Sequence, residues 1–463
     1  MTDVLDWTWQ YDGVILLTGI LCAVAASLPG NFLVLRRTSL LGDAVSHAVL
    51  PGIAAAFLLT HSRTGAVLFV GAVVAGLLTA VLTELIRDIG SVDEGASTGV
   101  VFTTLFAAGL VLIVQAADAV DLDPGCVLYG ALEDSPLQTV RIVGTEIPRV
   151  ALTLAGVLLL NLLFVVLFFK ELLISSFDPG LATTGGYSAR LVHYLLMIVV
   201  AITAVASFEA AGNILVVAMF IVPPSSALLL TTRLSRMIWL SAGIAAISAV
   251  AGHFSAIVLP RWLGYRSIST AGMMTLCAGL CFLIAALFSP SAGVLTGWVR
   301  RVRLSLRILC EDLLALLYRI EERGSVPGGA GRSDVSNGQS GVFGDAGFEY
   351  LAKKLLCSRR LLILAGWIQQ YRGNLVREGP AWRLTDSGRR VASLLVRSHR
   401  LWESYLATEG VGPGRIHRQA ETLEHYTSEG LRNRLDTGVA DGAVDPHGSR
   451  IPREDDFRIP PVS

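Results

Sequence analysis

Lysine is almost absent from this chain: it stands only at Lys170, Lys353 and Lys354, and none follows a glycine-rich turn. No G-x-x-x-x-G-K-[ST] string occurs, so the chain has no phosphate loop with which to bind and hydrolyse ATP. Charge is scarce as well. Asp, Glu, Lys and Arg make up 16% of the 463 residues, against about 25% in a soluble globular protein. Neither sign is in excess, 37 basic against 37 acidic, which excludes a global pull toward nucleic acid or acidic lipid. The six cysteines, Cys22, Cys126, Cys277, Cys281, Cys310 and Cys357, form no C-x-x-C pair. They read as small buried hydrophobes and give no disulfide framework. The stretch from Met1 to Asp12 is acidic and lacks the basic region of a cleaved signal peptide, so the first apolar run reads as a retained membrane helix.

What the chain has instead is apolar sequence: 53% hydrophobic residues and a mean hydropathy of +0.60. The excess is confined to residues 13–298, and residues 299–463 have soluble composition with many arginines. A helix needs about 20 apolar residues to cross a bilayer. Runs of that order fall near 13–35, 40–60, 65–86, 97–117, 148–169, 191–207, 213–231, 237–259 and 270–289, which predicts about nine spans. The sixth is short, and the seventh carries Pro223 and Pro224. Arg36, Arg37, Arg87, Lys170, Arg190, Arg233 and Arg236 fall in alternate loops, on the side where Arg300, Arg301, Arg303 and Arg307 follow the last run. By the positive-inside rule that side is cytoplasmic, and an odd number of spans puts the N-terminus outside. Residues 121–134 read as an external or re-entrant loop, and 178–190 as a short cytoplasmic surface helix.

Ionisable groups inside a span are expensive and are site candidates by default. Asp43 and His47 stand four apart in the second run, on one helix face, with His47 about 10 Å along the helix from Leu40. A carboxylate beside an imidazole suits a first-row divalent metal. The spacing alone also allows Asp43 to pair near the interface while His47 bonds a neighbouring helix. Glu209, beside Gly212, reads as an interfacial carboxylate, and His253 as a satisfied core histidine.

The string FLVLRRTSLLGDAVSHAVLPG at 32–52 resembles the most distinctive segment of the ABC-3 permeases of zinc, manganese and iron importers. GASTGVVFTTLFA at 95–107, LDPGCVLYGAL at 122–132, SFEAAGNILVVAMFIVPP at 207–224 and FSPSAGVL at 288–295 extend the resemblance over nearly all of the apolar part. The resemblance implies that Asp43 and His47 line the metal pathway or its gate. It implies that Asp178, Pro179, Gly180, Leu181 and Ala182 sit in the cytoplasmic helix that docks on a separate ATPase. His253 departs from the aromatic residue such permeases carry there.

The C-terminal part has its own pattern. Leu304 to Arg323 has helical periodicity, Gly324 to Gly341 reads as a Gly/Ser-rich linker, and a hairpin is expected near 371–384. His417, Glu421, Glu424 and His425 occupy i, i+4, i+7 and i+8, one stripe that suits Mn, Fe or Zn, or else forms a solvated acidic face. His399 and Glu403 make a second i, i+4 pair. EDLLALLYRIEE at 311–322, RLTDSGR at 383–389, HRLWE at 399–403, HRQAETLEH at 417–425 and DPHG at 445–448 resemble DtxR/MntR-type metal-dependent repressors. That resemblance implies that Glu421, Glu424 and His425 ligate the metal directly, joined by Asp312, with His399 able to complete the set. Ala315 stands where a manganese sensor would offer a carboxylate, and Glu421 leans toward manganese. Ser325 to Phe343 replaces a compact helix-turn-helix start, which weighs against operator binding.

The expected protein is therefore an all-α polytopic membrane protein with a C-terminal cytoplasmic winged-helix and helical dimerisation domain. Its expected parts are a permease domain at 1–298, a first regulator helix with linker at 299–345, and a winged-helix remnant with metal-binding and dimerisation domain at 346–463. The expected function is that of a non-enzymatic permease subunit of an importer for Mn2+, Zn2+ or Fe2+, leaning to Mn2+. The metal is both cargo and regulatory ligand, and this chain binds no nucleotide. Expected partners are an ABC ATPase subunit, an extracytoplasmic metal-binding protein, a second permease copy or paralogue and the lipid of a bacterial inner membrane, with nucleic acid disfavoured. The competing reading is a membrane-anchored, metal-responsive transcriptional regulator.

Overall fold

The computed structural model describes residues 7–61, 65–116, 132–137, 139–142, 145–264, 268–324, 345–378, 381–437 and 444–452. They divide into two compact units, Met1–Gly297 and Trp298–Ser463. The expected loop at 121–134 lies outside the described residues except for a last turn, Leu132–Asp134. The linker at 324–341 lies outside them beyond Gly324.

In hydrocarbon every backbone amide must be satisfied within the chain, so the apolar runs fold as helices. The first unit contains α1 (Asp12–Leu35), α2 (Leu40–Thr60), α3 (Gly65–Gly90) and α4 (Glu94–Ala116). An unexpected antiparallel hairpin, β1 (Thr139–Ile142) with β2 (Thr145–Pro148), comes next. Then follow α5 (Arg149–Leu167), two short helices α6 (Phe169–Phe177) and α7 (Pro179–Thr184), α8 (Ala189–Leu230), α9 (Leu234–Leu263) and α10 (Thr270–Phe288). Among the described residues, eight helices are long and apolar enough to cross a membrane.

The expected spans at 191–207 and 213–231 are both in α8. This 42-residue helix is broken at Gly212, whose φ of 74° and ψ of 171° are non-helical. A straight helix of that length would reach about 60 Å, twice a bilayer core. The two ends of α8 instead lie at the same end of the bundle. Near its start, His193 Nδ1 is 3.3 Å from Arg36, just past α1. Near its finish, the Leu229 carbonyl accepts from Ser291 Oγ at 3.0 Å, just past α10. Helices α1 and α10 run the same way, because α9 lies antiparallel to α1. Asn31, late in α1, donates to Ser241, early in α9, at 2.7 Å. Asp12, at the start of α1, stands 3.7 Å from His253, late in α9. The chain therefore turns back at Gly212 without a loop. Arg36, Arg37, Lys170, Arg190, Arg233 and Arg236 flank the ends so joined, and this is called the basic end below.

Lipid gives helices no hydrophobic reason to associate, so close backbone approach and interhelical hydrogen bonds must do it. A Cβ on Gly30 of α1 would lie 2.3 Å from the Phe220 carbonyl oxygen of α8. A Cβ on Gly52 of α2 would lie 2.6 Å from the Gly71 oxygen of α3. Buried Asn161 of α5 donates to Thr203 Oγ1 of α8 at 2.9 Å and to the Ala25 carbonyl at 2.8 Å.

The second unit is held mainly by α11 (Val294–Gly324), α12 (Asp345–Lys354), α13 (Arg359–Tyr371), α14 (Asp386–Thr408), α15 (Pro413–Glu424) and α16 (Glu429–Thr437). The expected hairpin is present as β3 (Leu375–Glu378) and β4 (Ala381–Leu384), paired from Leu375↔Leu384 to Glu378↔Ala381. Leu313, Leu314, Leu317, Leu362, Trp382 and Leu384 form one core that joins α11, α13 and the hairpin.

Candidate functional site

In the first unit, Asp43 lies in the first turn of α2 and His47 one turn on, with His47 Nε2 3.4 Å from Asp43 Oδ1. Both side chains keep some exposure, 25% for His47 and 41% for Asp43. Neither is isolated in a dry helix contact. Asn213, the residue after the turn in α8, presents Nδ2 3.2 Å from His47 Nε2. The rings of Phe102 and Phe106 on α4 stand 4.8 and 5.7 Å from the imidazole. Carboxylate, imidazole and amide thus converge where the helical ladder of α8 is interrupted. An interrupted helix is where a membrane protein exposes backbone polar groups to a cavity or ligand. Asn213 was not foreseen, because its only sequence signal was the neighbouring Gly212. Glu209, one turn before, is exposed. His253 is buried, but its nitrogens have no hydrogen-bond partner among the described residues, so it is not the satisfied core histidine expected.

Asp178 caps α7 by accepting from the Leu181 amide at 2.9 Å, and Pro179 occupies the first turn, the usual start chemistry of a helix. Ala182 is buried, while Asp178, Pro179, Gly180 and Leu181 are exposed, Leu181 by 61%. Of the segment 178–190 expected to form a short surface helix, Pro179–Thr184 is helical, and Ala189 already begins α8.

In the second unit the ionisable residues gather into two linked clusters. His399, Glu403 and His417 offer ligand atoms that all lie within 4.8 Å of one another, and so do Asp312, Glu424 and His425. On α14, His399 donates from Nε2 to Glu403 Oε1 at 3.1 Å and from Nδ1 to Glu424 Oε2 on α15 at 2.6 Å. His417 Nδ1 meets the same Glu403 oxygen at 2.8 Å. His425, just past α15, reaches Glu311 Oε2 at 2.8 Å and Asp312 Oδ1 at 3.2 Å, and its Nε2 lies 3.9 Å from Glu424 Oε1. Glu424 therefore spends one oxygen on each cluster. Glu421 does not join Asp312. It is 55% exposed and pairs with His417 at 3.3 Å. Two residues of the network were not foreseen as site residues: Glu311, and His447, whose Nε2 is 3.6 Å from Glu403 Oε1.

Burial alone would push these imidazoles down and these carboxylates up, and the pairing outweighs it. Asp312 and Glu311 hold His425 up at about 10. Hydrogen bonds from His399 and His417 bring Glu403 down to about 2. Glu403 and Glu424 raise His399 against the same burial penalty. Nitrogen and carboxylate donors crowded at this distance are the donor set that intermediate divalent ions take, once the imidazoles give up the protons that the carboxylates hold on them. The residues fit such an ion.

Comparison with known proteins follows the same division. Residues 13–289 match the ABC 3 transport family, and residues 385–453 match the iron dependent repressor, metal binding and dimerisation domain. The manganese transport system membrane protein MntD of Bacillus subtilis is 43% identical over 296 residues, covering 64% of this chain and 98% of that protein. The zinc transport system membrane protein TroD of Treponema pallidum is 40% identical over 299 residues, covering 65% of this chain and 78% of that protein. Among solved structures, PsaBC from Streptococcus pneumoniae in complex with Fab superposes with a TM-score of 0.50 at 32% identity, covering 60% of this chain and 92% of that one. The chain belongs to the ABC 3 transport family, as a multi-pass membrane protein with a DtxR/MntR-like metal-dependent regulator domain fused after its membrane helices.

Proposed function

We propose that this chain is the permease subunit of an ATP-driven importer for a divalent transition metal, with manganese preferred over zinc and iron, and that its C-terminal unit senses the same metal. The observation that carries the proposal is the Asp43–His47 pair at 3.4 Å, faced by Asn213 at the turn of α8. His47 Nε2 stands in hydrogen-bond contact with the Asn213 side-chain amide at 3.2 Å and 3.4 Å from Asp43 Oδ1, so the three groups face one space. An incoming dication would replace that hydrogen bond with a metal–nitrogen bond, and Asp43 would neutralise part of its charge. Phe102 and Phe106 wall one side against water.

The basic end is taken as cytoplasmic, in a bacterial inner membrane. Helix α7 stands at that end with Leu181 and Phe177 exposed, which suits docking on a separate ATPase subunit. Closure of a pair of such ATPases would press on α7 of two permease copies and drive alternating access, while an extracytoplasmic metal-binding protein delivers the ion to the opposite end.

In the regulator unit, Asp312, Glu424 and His425 would hold one ion, and His399, Glu403 and His417 a second. A bound ion supplies fixed positive charge that neutralises the buried carboxylates and ties α11, α14 and α15 together. Such a unit regulates transport only if metal binds one transporter state more tightly than the other.

The test is import into proteoliposomes that contain this chain with its ATPase subunit. ATP-dependent entry of manganese, competed by zinc or iron, is expected. No ATP-dependent entry of any of the three ions would remove the proposal.

A further inference from the structure

The N-terminal half of α11 is largely exposed among the described residues, and its composition says what covers it. From Trp298 to Ser305 every residue is exposed, around the whole circumference of the helix, and Cys310 is the first fully buried position. Two free turns gain nothing from tertiary packing, and isolated helical turns are marginal in water. At 100° per residue, Val294, Leu295, Trp298, Val299 and Val302 fall within an arc of about 140°. Arg301 flanks one edge of that arc, and Arg300, Arg303 and Arg307 lie beyond the other. Trp298 is 62% exposed.

The apolar stripe continues along the helix into a groove of about 400 Å³ between α11 and α13. Trp298, Val299, Val302, Leu306 and Ile368 line it, with Arg303, Arg307 and Arg372 as its polar neighbours. Arg307 is shared, since its Nε also donates to Glu311 at 2.8 Å.

The last membrane helix ends at Phe288, and α11 begins at Val294. Between them, Ser289 and Ser291 both donate to the Leu229 carbonyl at the end of α8, and Thr296 Oγ1 donates back to the Ser289 carbonyl at 2.6 Å. The start of α11, at Val294–Gly297, thus lies at the basic end of the membrane unit.

We infer that residues 294–307 form an interfacial helix that binds anionic phospholipid, with Trp298, Val299 and Val302 among the acyl chains and Arg300, Arg301 and Arg303 on the phosphodiesters. An apolar stripe edged by arginines matches an amphiphile with an acidic head, and a tryptophan at that level is the usual interfacial anchor. A second protein chain would account for the apolar stripe but not for arginines on both of its edges. The inference does not depend on transport.

The test uses the full chain in nanodiscs of phosphatidylcholine alone or with phosphatidylglycerol. Backbone hydrogen exchange at 298–305 should slow on adding phosphatidylglycerol. Brominated acyl chains should quench a component of tryptophan fluorescence that Trp298→Phe removes. Each arginine beside an anionic surface is worth roughly a fivefold preference, so Arg300→Gln, Arg301→Gln and Arg303→Gln together should cut the phosphatidylglycerol preference about 100-fold. Protection elsewhere in the chain should be unchanged by these exposed substitutions. Equal exchange in both lipids, or an unquenched Trp298, would overturn the inference. So would protection that appears only when the ATPase subunit or a second copy is added, which would assign the face to a protein.

Discussion

The two candidate sites hold ionisable groups in opposite ways. In the membrane unit Asp43 and His47 meet at 3.4 Å, partly exposed, beside the Asn213 amide. In the regulator unit nine His, Asp and Glu side chains interlock, with His399, Glu403 and Glu424 buried. A sparse, open pair suits an ion that must pass. A dense, buried network suits an ion that stays, because each donor is oriented before the ion arrives. Under the proposed function, the same residue types would serve transport or sensing according to how firmly their surroundings hold them.

The sharpest way to break the comparison is to cripple one unit at a time. His47→Ala should reduce ATP-dependent manganese uptake on the order of 100-fold, since a lost ligand costs at least as much as a lost supporting group. Calorimetry on the same variant should still find the metal binding of the regulator unit. Asn213→Ala should cost less, about tenfold in uptake, because Asn213 orients His47.

Glu424→Gln should do the reverse. The shared carboxylate serves both clusters, so metal affinity of the regulator unit should fall about 10- to 100-fold by calorimetry, with the import machinery still assembled. A Glu421→Gln change should have a much smaller effect, because Glu421 reaches only His417.

Acidity should separate the units next. His425 is held up at about 10, so it carries a proton at neutral pH, and that proton competes with a metal for the ring nitrogen. Affinity of the regulator unit should therefore rise about tenfold per pH unit for each proton displaced, over pH 6 to 8. The same pairs give a stability signature in the chelator-treated protein. The raised pKa of His425 contributes stability that is full below about 6.5 and is lost as pH rises toward 10. The depressed pKa of Glu403 contributes stability that is full above 4.5 and is lost as pH falls toward 2. Thermal melts should thus peak between these limits.

The smallest effect expected is that of Gly212→Ala. A φ of 74° costs a residue with a Cβ about 1 kcal/mol or more. The variant should lose that much stability and shift the register of Asn213 against His47, which a modest rise in the uptake KM would report.

Much of this was legible in the sequence, for identifiable reasons. Apolar runs translate directly into helices, and an i, i+4 spacing fixes a shared face, so α2 and its Asp43–His47 pair could be read from spacing alone. The turn at Gly212 could not, because two spans joined without a loop leave no polar break. The stripe His417, Glu421, Glu424 and His425 was legible as a stripe but not as a division of labour. Two neighbours split it: α14 draws His417 to Glu403 and Glu424 to His399, while Asp312 and Glu311 of α11 draw His425. Glu311 and His425 lie 114 residues apart, and no local periodicity encodes a contact of that range.

Pulsed electron–nuclear resonance on Mn2+ bound to the assembled transporter, held with a non-hydrolysable ATP analogue, tests the central claim most directly. It should be made on a Glu403→Gln, Glu424→Gln variant, so that the regulator clusters are silent. An imidazole nitrogen coupled to the manganese, lost on adding His47→Ala, is the predicted result. Manganese held by the membrane unit with no coupled nitrogen, or a coupling that survives His47→Ala, would contradict it.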